Sequence, residues 1–178
     1  MFKKKYAVFT MDVEAFTDTE CVAYSKEVVD IDLLDGFDEY IKILDKHGIK
    51  STLFTVGNLA PKMAKRLKSC IENGHELALH NYEHIAPAEI DHESFRNNLL
   101  KSKNELSEMF GTEISGFRAP YFSMDESHLE IIKETGFKYD SSFLDFSAAR
   151  HTVNLNLDNY EEISKNIYHN ENFFEISS

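Results

Sequence analysis

A mainly parallel α/β sheet, open or closed into a barrel, is the fold class this sequence predicts, and three observations predict it. Helix-like runs alternate with short β-favouring runs along the whole chain. Four of the seven glycines stand where a helix-like run stops and a β-favouring run begins. The 178 residues, 42% hydrophobic and 12% aromatic, supply one well-filled core and signal no second domain. Strands alternating with helices of ten or more residues need right-handed crossovers, which make neighbouring strands parallel.

Each element follows from its residues. Residues 6–11 (Tyr-Ala-Val-Phe-Thr-Met) read as a first strand running into Asp12-Val13-Glu14. Leu33, Leu34, Phe37, Tyr40, Ile41 and Leu44 recur at three- and four-residue steps, which predicts an amphipathic helix stopped by His47-Gly48 before a strand at 51–56. A second helix over 58–73 carries Pro61 in its first turn, where a missing N–H costs nothing, and ends at Gly74 before a strand over 76–80. A third helix over 94–110 closes at Gly111 ahead of a strand at 114–118. A fourth over 125–135 closes at Gly136 ahead of 137–140. Phe173-Phe-Glu-Ile-Ser-Ser178 reads as an interior strand, so the single domain over 1–178 is expected to lack its C-terminal strands.

Charge and cysteine content narrow the function. With 19 basic and 31 acidic residues the net charge is −12, which disfavours phosphate backbones and anionic lipid, so no nucleic acid and no membrane insertion are expected and a neutral substrate fits better. The Lys3-Lys4-Lys5 opening is followed by an apolar run that Asp12 interrupts too early for a signal-peptide core, which gives a cytoplasmic expectation. Cys21 and Cys70 are too few for a disulfide framework and are expected as reduced thiols. Oligomeric state is left open.

In parallel α/β sheets and barrels, chemistry gathers in the loops past the C-terminal ends of the strands, so polar residues there carry the functional reading. Asp12 and Glu14, two apart on an extended chain, point to one side and can share an ion or a substrate; the plain alternative is an acidic turn. The third strand ends in His80-Asn-Tyr-Glu-His84. Imidazoles four apart on one face of a helical turn can grip one metal, a carboxylate completing a three-ligand open site, although eight histidines make a chance pair common enough. His75, at the opposite end of that strand, reads as structural. The fourth strand ends in Phe117-Arg118-Ala119-Pro120-Tyr121-Phe122, and the fifth in Tyr139-Asp140-Ser141-Ser142. Arg118 can hold a carboxylate as a bidentate pair, and the turn at Pro120 can present backbone N–H groups to an oxyanion. The plain alternative is a structural Arg–Asp pair with Tyr121 and Phe122 as core.

These segments, in this order and at the ends of successive strands, resemble the polysaccharide deacetylase family, also called the NodB-homology or carbohydrate esterase family 4 domain. The resemblance runs from Asp12-Val13-Glu14 through Ser51 to Gly57, Asn73 to His84 and Phe117 to Tyr121, to Gly136 to Ser142. It implies an irregular (β/α) barrel that removes acetyl groups from an N-acetylated sugar or glycan, hydrolysing a linear amide C–N bond with one divalent metal ion, often zinc. Carried over, it implies His80 and His84 as metal ligands, Asp12 as general base, Arg118 as the residue orienting that base, and Tyr121 as a backbone N–H donor to the oxyanion. Asp140 matches the acidic residue that tunes a late catalytic histidine.

Two departures from the family pattern bear on the site. Val13 stands where most members have a second, metal-binding aspartate, and Glu14, on the same side as Asp12, is expected to take that place. No late histidine follows a strand in the expected context, since only His151 and His169 come after Asp140. Two other functions therefore stand beside deacetylation: a carbohydrate-binding domain without catalysis, and an allantoinase-like amide hydrolase on the same scaffold.

Overall fold

The computed structural model describes residues 7–15, 33–144 and 155–177. Lys3, Lys4, Lys5, Tyr6, Cys21 and His151, singled out above, lie outside the described residues. Eight strands form one sheet in the order β1-β2-β3-β4-β5-β8-β7-β6. β1 (Phe9–Val13), β2 (Ser51–Thr55), β3 (Glu76–Leu79), β4 (Gly116–Phe117) and β5 (Tyr139–Asp140) are parallel neighbours in chain order. Between them lie α1 (Phe37–Lys46), α2 (Ala60–Glu72), α3 (His92–Phe110) and α4 (Glu126–Glu134). A sheet that always steps the same way through right-handed crossovers puts its helices on one face, the winding of a (β/α) barrel. In accord with that, α2 packs on α3 and α3 on α4.

The helices form where the apolar spacing placed them. α2 buries Ala60, Met63, Leu67 and Cys70, and α3 buries Phe95, Leu99 and Leu106. Cys70 is a free thiol, and burial pushes it up to about 11. α3 starts at His92 rather than Ser94 because Asp91 is its N-cap and accepts the Ser94 backbone N–H at 3.0 Å. His75 is structural: its Nδ1 accepts the Ser51 backbone N–H at 3.1 Å, leaving Nε2–H to donate to Asp45 at 3.2 Å.

The fourth and fifth strands are shorter than the sequence suggests, two residues each. Gly116 and Tyr139 are register partners. A Cβ on Gly116 would fall 2.1 Å from the Tyr139 ring, so glycine is what lets that ring lie across β4 and meet Phe54 edge-on at 6.4 Å. After β5 the winding changes. β6 (Glu161–Ser164), β7 (Ile167–Asn170) and β8 (Phe173–Ile176) form an antiparallel meander whose last strand inserts parallel beside β5. Residues 173–176 are thus an interior strand, as expected. β6 and β7 were not expected: their turns run through left-handed Asn166 and Glu171, so neither Gly nor Pro marks them.

Candidate active site

The site is built at the C-terminal ends of β1, β3, β4 and β5. Along β1 the side chains alternate: Val13 is fully buried in the core, and Asp12 and Glu14 turn to the other side. β3 ends at Leu79, and His80 and His84 follow on a bend rather than the helical turn the spacing suggested. The chain reverses through Asn81 at φ 61°, a backbone that asparagine tolerates because its side chain serves the loop. Asn81 Oδ1 accepts the Tyr82 N–H at 2.9 Å, and Nδ2 donates to the Ile85 carbonyl at 2.9 Å.

This bend brings two buried imidazoles to one carboxylate. Glu14 Oε2 lies 2.6 Å from His84 Nε2 and 3.6 Å from His80 Nε2. His80 Nδ1–H donates to the Arg118 carbonyl at 2.8 Å, which turns Nε2 toward Glu14. Burial pushes the Glu14 carboxyl up, but hydrogen bonds and positive charge from the two histidines outweigh it and hold the group down at about 2. The ligand atoms of Glu14, His80 and His84 lie within 4.8 Å of one another. Two neutral-capable imidazoles and one carboxylate, with a histidine already oriented by a carbonyl, fit a divalent cation in an open three-ligand site.

Beside this triad stands a buried arginine. Arg118, 4% exposed, donates through Nη1 to Asp12 Oδ1 at 2.8 Å and to Thr10 Oγ1 at 3.1 Å. Its two-pronged contact falls on Ser141, with Nε to the carbonyl at 3.0 Å and Nη2 to Oγ at 2.9 Å. Ser141 Oγ–H in turn donates to the Ile176 carbonyl of β8 at 2.8 Å, and the guanidinium lies 4.1 Å from the Phe54 ring centroid. Tyr121 follows Pro120 with φ 57°, and its ring meets His84 edge-on at 4.6 Å.

The structure thus brings Asp12, Glu14, His80, His84, Arg118 and Tyr121 together. Asp140 is placed differently: it is fully buried beneath the rim, where Oδ2 accepts the Ser142 N–H and Oδ1 the Ser142 hydroxyl, both at 2.8 Å. Of the two late histidines, His169 lies in β7 with its ring 4.6 Å from Phe174. Sequence reasoning missed Glu175, fully buried and the register partner of Asp140 across β5 and β8. Its signal was present as one acidic residue inside the apolar run Phe173-Phe174-Glu175-Ile176.

Comparison with known proteins agrees with this arrangement. Residues 28–139 match the polysaccharide deacetylase family model. The chain belongs to the polysaccharide deacetylase family. It is 32% identical over 119 residues to a peptidoglycan-N-acetylglucosamine deacetylase of Bacillus cereus, covering 64% of this chain and 43% of that protein. It is 27% identical over 109 residues to a peptidoglycan deacetylase of Helicobacter pylori, covering 61% and 37%. The chain therefore spans less than half the length of these curated relatives. The crystal structure of a proposed polysaccharide deacetylase from Mycobacterium smegmatis superposes with a TM-score of 0.64 at 22% identity, covering 96% of this chain and 57% of that one. This supports the barrel-type deacetylase fold. No helix among the described residues is long and apolar enough to cross a membrane.

Proposed function

We propose that this deacetylase-family chain hydrolyses the acetamide C–N bond of an N-acetylated glycan, in a reaction that depends on one divalent cation, zinc by the chemistry of its donor set. The observation that carries the reading is the convergence of Glu14, His80 and His84 beside an Asp12 that Arg118 grips at 2.8 Å. Glu14, His80 and His84 would hold the cation, which supplies Lewis acidity toward the acetyl carbonyl and toward a water.

Every other part of the reaction falls to the chain's own side chains and backbone. Asp12, fixed by Arg118, takes the proton from the attacking water as that water bonds to the carbonyl carbon. The Tyr121 backbone N–H donates to the oxyanion that forms. The proton held by Asp12 then passes to the nitrogen as the C–N bond breaks, so the nitrogen leaves as the sugar amine and the carbonyl carbon leaves as acetic acid, which ionises to acetate. The B. cereus relative, by its name, acts on N-acetylglucosamine of peptidoglycan, and the same class of substrate is proposed here.

The test is acetate release from N-acetylglucosamine oligomers by zinc-loaded protein, alongside elemental metal analysis and a ureide panel. Acetate release abolished in Asp12→Asn, with one ion still bound per chain, would support the reading. Saccharide binding without turnover would favour a binding domain, and turnover of ureides alone would favour an allantoinase-like hydrolase.

A further inference from the structure

Two carboxyls sit against each other behind the site. Asp140 on β5 and Glu175 on β8 are register partners, and both are fully buried. Two carboxylates facing each other in a dry interior repel strongly, so one proton is retained between them.

The surrounding donors say which group keeps it. Both Asp140 oxygens accept hydrogen bonds, from the Ser142 N–H and the Ser142 hydroxyl. Glu175 Oε1 accepts the Phe143 N–H at 3.0 Å, while Glu175 Oε2 is buried with no donor from the protein. An oxygen that accepts nothing is where a hydroxyl belongs. Burial pushes both groups up, and the neighbouring Asp140 pushes Glu175 further still, whereas Ser142 and Arg118 draw Asp140 back toward ionisation.

The singly charged pair has a definite output. Asp140 fixes the Ser142 hydroxyl, which accepts the Ala119 N–H at 2.8 Å. Ala119 lies between Arg118, which grips Asp12, and the Pro120-Tyr121 turn. One residue on from Glu175, the Ile176 carbonyl receives Ser141, the residue that holds two nitrogens of Arg118. We propose that Glu175 is a positioning residue, a protonated carboxyl that donates to Asp140 and so sets the loop carrying Arg118 and the Tyr121 N–H. The part that concerns catalysis rests on the deacetylase reading, whereas the shared proton does not.

The experiment compares wild type, Glu175→Gln and Glu175→Ala in the full chain. Infrared difference spectra at neutral pH should show a protonated-carboxyl band in wild type that Glu175→Gln removes; its absence from wild type would overturn the proposal whether or not the protein turns over. The Arg118 Nε–H resonance, identified by its loss in Arg118→Lys, should stay in place in Glu175→Gln and shift or broaden in Glu175→Ala. With zinc-loaded protein, Glu175→Gln should keep kcat within about twofold, because the amide still donates, while Glu175→Ala should lower kcat about 10–100-fold with KM and metal content unchanged. Equal loss in both variants would mean that an ionised Glu175 is needed and would also overturn it. Should wild type itself release no acetate, the deacetylase reading fails, and the infrared and resonance results still decide whether Glu175 donates to Asp140.

Discussion

Among the described residues, two groups each bring a pair of histidines and a carboxylate within ligand distance: Glu14 with His80 and His84, and Asp125 with His92 and His128. Proximity makes them look alike, and the partners of their polar atoms separate them. His80 is turned by a carbonyl at its far nitrogen, so that its near nitrogen faces Glu14. Asp125 is the N-cap of α4, and its Oδ1 already accepts the Ser127 N–H at 3.0 Å, the His128 N–H at 3.2 Å and His128 Nδ1–H at 2.7 Å. His92 opens α3 and bonds Ser127 Oγ at 2.9 Å. The second group therefore sits where two helix starts present positive partial charge, a place that favours the carboxylate and opposes a cation. What decides between a metal site and a helix cap is the set of obligations each polar atom already has.

The comparison breaks most plainly on metal content. Wild type should retain one zinc per chain after dialysis, and His80→Ala with His84→Ala should lose it and lower acetate release by about 10²–10³-fold or more. Asp125→Ala with His92→Ala should leave the ion in place. Two ions in wild type, or loss from the second variant, would show that the two groups are not distinct. Arg118→Lys comes next: it keeps the charge but not the planar fork on Ser141, and should lower kcat about 10–100-fold with metal content unchanged.

Stability should respond the opposite way. Asp125→Ala should cost about 1 kcal/mol in urea unfolding through loss of the cap, with little change in activity. The smallest effect is on acid sensitivity. Glu14 and Asp125 are each held down at about 2; in Asp125, hydrogen bonds from Ser127 and His128 outweigh burial. A depressed carboxyl contributes stability that is fully present above its ordinary value and lost as pH falls through the folded one, so the metal-free protein should weaken between about 4.5 and 2. Glu14→Gln and Asp125→Asn should each flatten that limb, and added zinc should compete with protons in wild type and in Asp125→Asn only.

Much of the fold was legible because its markers are local. Gly48, Gly74, Gly111 and Gly136 all take positive φ at the helix ends where the sequence placed them. Asp12, Glu14, His80, His84 and Arg118 converge because strand ends of a parallel sheet share one rim. The His80–His84 bend was misread as helical, since spacing alone cannot distinguish a helical turn from a reversal through left-handed Asn81. β6 and β7 escaped notice because their turns use Asn and Glu and their faces are not strongly apolar. Glu175 was missed for a different reason: its meaning depends on lying opposite Asp140, a pairing across 35 positions that no local pattern encodes.

The insertion of β8 beside β5 has a consequence for synthesis. A ribosome releases the chain from its N-terminus, and elements dock as they emerge. Glu14, His80 and His84 leave the ribosome long before Ile176, whose carbonyl closes the chain of contacts through Ser141 to Arg118. A nascent chain can therefore assemble the triad proposed to hold a cation while the arginine opposite Asp12 still lacks part of its support. The order of the residues along the chain staggers the meeting of Glu14, His80 and His84 ahead of the contacts that steady the arginine beside Asp12.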